Sequence, residues 1–252
     1  MVREIIDNCI MNLKNKIAVV TGGSSGIGRA ISVALVQQGC KVVFTYNSSE
    51  EGAKETLKLL GKNGIKYKVD LHNEKQIDDL FDLVSKKFGG LDILVNNAGV
   101  NRPRDLFDTK VWREIFQVNL FATVYCADRA VKLMKTGGKI LNISSVYADG
   151  KACWKGLSAY GAAKAAVSHF TQTLAKNLAP KILVNAIAPG YVKTPLWKDT
   201  TEEGFKESGK EQLIERMIEP SEIAHMAVAI VENDAMTGEV VIIDGGISLK
   251  TI

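Results

Sequence analysis

Short apolar runs alternate along the chain with longer stretches whose apolar residues recur at helical spacing. The runs are Ile17–Val20, Lys41–Tyr46, Ile65–Val69, Asp92–Asn96, Lys139–Ile143, Ile182–Ile187 and Glu239–Ile243. They are apolar almost throughout rather than at every second position, as in parallel strands covered on both faces. The helical stretches are Gly26–Gln38, Glu50–Leu60, Lys75–Lys87, Val111–Lys135, Ser158–Leu178 and Ser221–Val231, and Gly39, Gly61, Gly64 and Gly89–Gly90 punctuate their ends. The alternation predicts an α/β fold: a doubly wound parallel sheet of about seven strands, a Rossmann fold, with helices on both faces. Repeats, low-complexity segments and linkers are missing from the pattern, so residues 11–252 read as one domain. Residues 1–10 read as an N-terminal extension. They carry Arg3, Glu4 and Asp7 and lack the continuous apolar stretch of a secretory signal. The one long stretch without pattern, Lys193–Lys210, reads either as a lid or binding loop or as a solvated surface helix.

Composition narrows the function classes. Of 252 residues, 46% are hydrophobic and 24% charged, which suits a large core and excludes disorder. The net charge of +4 is too small and too dispersed for a nucleic-acid footprint. It suffices to attract an anionic cofactor or substrate. Cys9, Cys40, Cys126 and Cys153 lack metal-ligand spacing, and His72, His169 and His225 form no paired motif. No metal site is therefore expected, and the thiols read as reduced residues of a cytoplasmic protein. No apolar run approaches the length of a membrane span.

The first strand runs into Thr21-Gly22-Gly23-Ser24-Ser25-Gly26-Ile27-Gly28 and then a helix. Glycine lets the chain turn with positive φ and lets main chain approach a pyrophosphate. The helix start then offers unpaired N–H groups and a partial positive charge to phosphates. The alternative is a tight turn without a ligand, but the position between strand and helix favours a dinucleotide.

The spacing of this turn resembles the short-chain dehydrogenase/reductase family, and further family marks follow in order. They are Asn96-Asn97-Ala98-Gly99 after the fourth strand, Val118-Asn119-Leu120 in the next helix and Ser144-Ser145 at the end of the fifth strand. Tyr160-Gly161-Ala162-Ala163-Lys164, Pro189-Gly190-Tyr191-Val192-Lys193-Thr194 and Asp244-Gly245-Gly246 complete them. Members nearest in pattern are 3-oxoacyl-carrier-protein reductases. The resemblance implies hydride transfer between a nicotinamide and a ketone or secondary alcohol. It implies Asn119, Ser145, Tyr160 and Lys164 as catalytic residues, with Ser144 a rival to Ser145. It implies a cofactor held by Gly22, Ser24, Ser25, Gly26, Ile27 and Gly28. Further contacts would come from Thr45, Asn47, Ser48, Asp70, Leu71, Asn97, Ala98, Gly99, Tyr160, Lys164, Pro189, Gly190, Val192 and Thr194. Ser145 lies farther before Tyr160 than the serine of the family pattern, so Val146–Ala159, with Cys153 and Trp154, reads as a modest insertion beside the substrate.

Tyr160 and Lys164 are four apart on a helix and share a face. A free phenol titrates near 10, and a neighbouring ammonium is expected to lower that value, fitting Tyr160 to exchange a proton with a carbonyl or alcohol. Ser145 would hydrogen-bond the substrate oxygen, and Asn119 would complete a water-linked proton relay. The second strand ends Thr45-Tyr46-Asn47-Ser48 with no acid before Glu50, which favours NADP(H), NAD(H) remaining open because Ser25 stands where many NADP-dependent members have a basic residue. Asp70 reads as an adenine contact or as a turn residue. The substrate classes left open are a carbonyl or 3-oxoacyl group and a sugar or polyol; a non-catalytic dinucleotide sensor is the alternative outside enzymes. Lys132, Lys135, Lys139 and Lys193 are candidates for contact with an acidic carrier. The resemblance also implies a homo-oligomer, most simply a tetramer, paired through Val111–Lys135 and Ser158–Leu178, where Ala122, Ala127, Ala130, Ala162, Ala163, Ala165 and Ala166 would permit close approach and Phe116, Phe121, Tyr125 and Phe170 would fill an interface.

Overall fold

The computed structural model describes residues 10–102, 106–148, 152–197 and 200–250. Seven parallel strands form one sheet in the order β3-β2-β1-β4-β5-β6-β7. They are β1 (Ile17–Val20), β2 (Lys41–Tyr46), β3 (Gly64–Lys68), β4 (Leu91–Asn96), β5 (Met134–Ile143), β6 (Ile182–Pro189) and β7 (Val240–Ile243). Helices α1 (Gly26–Gln37), α2 (Glu50–Leu60), α3 (Glu74–Phe88), α4 (Thr109–Phe116), α5 (Ala122–Leu133), α6 (Ser158–Leu178), α7 (Glu202–Lys210) and α8 (Pro220–Glu232) connect or flank them.

The unbroken apolar runs are explained by two cores. Ala18, Val20, Ile93 and Val95 point to one face, beneath Ile31 and Leu35 of α1 and Ile223 and Ala227 of α8. Their neighbours Ile17, Val19, Leu91 and Leu94 point to the other, beneath Leu80 and Val84 of α3 and Cys126 and Ala130 of α5. Alternate residues of one strand thus feed opposite cores. A buried polar seam crosses the second layer. Asn96 Nδ2 donates to Asn142 Oδ1 at 3.0 Å, and Asn142 Nδ2 donates to Thr171 Oγ1 on α6 at 2.9 Å, which fixes α6 against β4 and β5.

Three elements depart from the sequence pattern. The helix expected over Val111–Lys135 is interrupted by a π turn, Gln117–Phe121, between α4 and α5. Helical periodicity carries no mark of one wider turn. The strand expected from Lys139 begins at Met134 and is irregular against β4 between Leu91 and Ile93. The unpatterned stretch Lys193–Lys210 holds a short 3-10 turn, Pro195–Trp197, and then α7. Of the proposed extension, only Ile10 is described. It bridges antiparallel to Asn233, and Met11 N donates to Glu232 O at 2.8 Å, tying the entry of the chain to the end of α8. No described helix is long and apolar enough to cross a membrane.

Candidate active site

Strand order reverses between β1 and β4, and the cleft expected at such a switch point opens over the carboxyl ends of the strands. Its volume is about 520 Å³. Gly22 and Gly26 turn with φ of 67° and 52°, values that side chains rarely adopt. Gly28 is required by packing: a Cβ there would lie 2.4 Å from both Asn97 Nδ2 and Gly22 O. Asn97 itself braces the turn, donating from Nδ2 to Thr21 O at 2.8 Å and Gly22 O at 3.2 Å. Thr21 Oγ1 accepts from the N–H groups of Asn97 and Ala98, each at 3.0 Å. The loops after β1 and β4 are therefore one unit. Ser25 caps α1 with extended backbone and no side-chain hydrogen bond, and no acid stands in the first turn. Arg29 N is the first to find a partner in the turn, Ser25 O. The N–H groups of Gly26, Ile27 and Gly28 are left at the cleft wall.

All the residues expected to hold the cofactor line this cleft. Two of them also have partners within the chain. Thr45 is buried and its Oγ1 accepts from Gly22 N at 3.2 Å, so its hydroxyl supports the turn, whereas Asn47 and Ser48 stand exposed on the rim. Asp70 Oδ1 accepts from His72 N at 3.0 Å and meets the His72 ring at 2.8 Å, bonds that hold the Asp70 carboxyl below its ordinary range. Asp70 thus makes a turn while facing the cleft. Glu50, the first acid after β2, is held by Lys66 and by the Tyr46 hydroxyl, which donates at 2.5 Å. Tyr46, His72, Arg102, Glu114, Leu196 and Trp197 also line the cleft, and no motif announced them. Only the last two carried a signal, their place in the unpatterned stretch after β6.

At the other end, α6 carries Tyr160 and Lys164 on one face, with Lys164 Nζ 5.8 Å from the centre of the Tyr160 ring. Ser145 and Tyr160 line the cleft together, and Ser145 draws the Tyr160 phenol down. Ser144 is excluded from that place, because its Oγ is taken up by Lys164 O at 3.0 Å and Ser168 Oγ at 2.7 Å. Burial pushes the Tyr160 phenol up to about 12, against the pull of Ser145. The expected lowering by Lys164 is absent because burial brings that ammonium down to about 8, so it is neutral where the phenol titrates, and its Nζ donates to Ile143 O at 2.6 Å. Asn119 does not line the cleft. The π turn carries it inward, where Oδ1 accepts from Val100 N at 2.7 Å and Nδ2 donates to Val100 O at 2.9 Å. It sits behind Gly99, whose missing Cβ would lie 3.1 Å from Asn119 Oδ1 and 3.6 Å from Lys164 Nζ.

A family model described as enoyl-(acyl carrier protein) reductase matches residues 22–248. The 3-oxoacyl-[acyl-carrier-protein] reductase of Vibrio cholerae is 36% identical over 245 residues, spanning 94% of this chain and 98% of that protein. The human 3-oxoacyl-[acyl-carrier-protein] reductase is 34% identical over 93% of this chain and 99% of its own length. Among solved structures, the ligand-free aldohexose dehydrogenase of Thermoplasma acidophilum superposes with a TM-score of 0.86 at 31% identity, over 96% of this chain and 97% of that one. A Serratia marcescens short-chain dehydrogenase/reductase double mutant gives 0.88 at 30% identity, over 94% and 100%.

The chain belongs to the short-chain dehydrogenase/reductase family. As a member it is an NAD(P)-dependent oxidoreductase acting on ketone or CH–OH carbons. The residues present fit a dinucleotide: the uncapped α1 start, the positive-φ glycines and the absence of Cβ atoms leave main chain open to a pyrophosphate. The basic residues considered for an acidic carrier are spread over the molecule. Lys139 is buried and bound to Asp234 at 2.6 Å. Lys132, near the end of α5, and Lys135, at the start of β5, lie at the opposite end of the sheet from the cleft, and Lys132 pairs with Asp128. Lys193 reaches Glu202 at 3.4 Å and lies over the Phe205 ring.

Proposed function

We propose that the protein is an NADPH-dependent reductase of carbonyl or 3-oxoacyl groups in which Tyr160 is the proton donor. The observation that carries this reading is Ser145 and Tyr160 together on the cleft wall, with Lys164 Nζ 5.8 Å from the centre of the Tyr160 ring. When bound, the nicotinamide would supply the hydride. A phenol near 12 stays protonated at neutral pH, so Tyr160 can give its proton to a carbonyl oxygen as that oxygen gains charge. Ser145 would donate to the same oxygen. Lys164, at about 8, is mostly charged at neutral pH and favours the phenolate left behind. We assign Asn119 to the proton path beyond Lys164, beside Gly99, with its amide fixed on Val100. Preference for NADP(H) is supported by the engagement of Glu50 with Lys66 and Tyr46, which leaves no carboxylate free at the end of β2 to repel a 2′-phosphate. Asn47 and Ser48 would receive it.

We also assign a homotetramer acting in the cytoplasm. Phe121 and Val124 are exposed on the π turn and α5, and Leu213, Ile242 and Leu249 are exposed near β7, two apolar regions of the kind that associate. Ala122, Ala127, Ala130 and Ala163 do not add to this support, being buried within the chain itself. Light scattering is expected to give four times the 27.4 kDa of one chain; a monomer mass refutes the assignment. For the chemistry, Tyr160→Phe is expected to retain cofactor binding and to lose turnover by at least about 100-fold. Near-native turnover would remove Tyr160 from the mechanism.

A further inference from the structure

Lys164 is held at both ends by consecutive residues of β5. Its Nζ donates to Ile143 O at 2.6 Å, and its own main-chain oxygen accepts from Ser144 Oγ at 3.0 Å. Ser144 is buried, and its N–H donates to Ile187 O on β6 at 2.7 Å. The end of the strand is thus tied to the sheet on one side and to α6 on the other. Ser145, the next residue, reaches the cleft wall from the same strand end.

One member of this brace comes from a residue that no motif marks. Ser168 Oγ lies 2.7 Å from Ser144 Oγ. A hydroxyl carries one proton. That of Ser144 goes to Lys164 O, so Ser168 donates to Ser144. A serine inside a helix commonly bonds back to the carbonyl one turn earlier, which for Ser168 is Lys164 O. Here the strand serine holds that carbonyl, and Ser168 holds the strand serine. Lys164, Ser168 and Thr171 form one stripe of α6 that faces β5. At Thr171 the stripe is anchored separately, by Asn142 Nδ2 at 2.9 Å. Loss of the Ser168 hydroxyl therefore leaves α6 docked and loosens only its active end.

We infer that Ser168 is a positioning residue for the reaction: through Ser144 it fixes Lys164 with one ammonium proton on Ile143 O and the others left for the cleft. This deepens the reductase reading above and rests on its use of Lys164. Tyr160, on the same helix, is the titratable group beside the ammonium, its ring centre 5.8 Å from Nζ. The neighbours from β5, from the loop after β4 and from the π turn, namely Ile143, Ser144, Gly99 and Asn119, carry no charge. Burial is what brings this ammonium down. A loosened Lys164 moves toward water, and its titration rises toward the ordinary lysine range.

The test uses the full-length protein and two readouts. One is kcat with NADPH and with NADH on two probes, 2,3-pentanedione and an acetoacetyl thioester. The other is the titration midpoint of Lys164, followed by NMR of its ε-carbon in protein carrying labelled lysine, with the resonance assigned by its loss in Lys164→Met. Ser168→Ala is expected to lower kcat about tenfold, short of the roughly 100-fold that a misplacement of about 1 Å can cost. The same variant is expected to raise the Lys164 midpoint above its value of about 8. Ser168→Thr keeps the hydroxyl and is expected to restore both. Ser144→Ala and the double variant with Ser168→Ala are expected to match, because Ser168 acts through Ser144. An unmoved midpoint or near-native kcat in Ser168→Ala, whatever its melting temperature, overturns the inference, and so do additive losses in the double variant. If the wild type turns over neither probe with either cofactor, the reductase reading falls, and the midpoint alone then decides whether Ser168 sets Lys164.

Discussion

At the β1–β2 end of the cleft the ligand surface is mostly main chain, held by side chains that face away from it. Thr21, Thr45 and Asn97 all direct polar groups into the turn. At the β5–β6 end the surface is side chain: Ser145, Tyr160, Trp197 and, behind them, Tyr147, Tyr191 and Glu211. A pyrophosphate needs only N–H groups and room, so the first end is specified by a few short-range positions. A reacting carbonyl needs particular atoms and a particular shape, so the second end draws on loops far apart in sequence. On the function proposed above, the first end sets which cofactor class enters, and the second sets chemistry and substrate.

Substitutions at the two ends separate these contributions. The largest effect is expected at the side-chain end. Lys164→Met should lower turnover by about 10²- to 10⁴-fold, read by steady-state kinetics; a loss confined to KM would mean that Lys164 only binds. The same residue should shape stability. Its ammonium titrates near 8 in the folded chain and near 10.5 in the unfolded one. Between those values the unfolded chain binds more protons, so stability should rise with pH through that window, by up to about 3 kcal/mol at 1.36 kcal/mol per unit. Denaturant titrations of wild type and Lys164→Met should differ in slope there, and parallel curves would contradict the burial of that charge. At the main-chain end, Gly28→Ala should cost about 1–3 kcal/mol from overpacking and weaken cofactor binding, because its methyl would meet Asn97 and Gly22. Unchanged melting and affinity would show that the two loops yield easily. The smallest effect is expected on the rim: Asn47→Asp should shift the NADP(H)/NAD(H) ratio of kcat/KM about tenfold toward NAD(H), equal to about 1.4 kcal/mol. A ratio that stays fixed would place the 2′-phosphate elsewhere.

The same contrast explains what could be read in advance. The central strands were legible because both of their faces are covered, and α6 was legible from Ser158 to Leu178. The glycine turn and the Tyr160/Lys164 pair were legible because their geometry is local. Ser145 was preferred to Ser144 from its place after the strand alone, and the contact that engages Ser144 comes from Ser168, a residue of α6. Thr45 looks like a rim residue in sequence, but its register beside Gly22 turns it inward. The rings of Tyr147, Trp154, Tyr191 and Trp197 meet one another although no periodicity connects them. The raised phenol was missed for a related reason: burial acts on Tyr160 and Lys164 together, and spacing alone reports only their proximity.

The π turn at Gln117–Phe121 also bears on which changes in length the family scaffold can absorb here. A deletion that restored ordinary α-helix would rotate everything beyond it by about 100°. Asn119 would swing away from Val100, and Ala122, Cys126 and Ala130 would leave the sheet they cover. The site and the second core therefore share one count of residues, so single-residue insertions and deletions between Thr109 and Leu133 should be purged from functional variants. The surface stretch from Thr200 to Lys210, bearing neither constraint, is where length is free to drift.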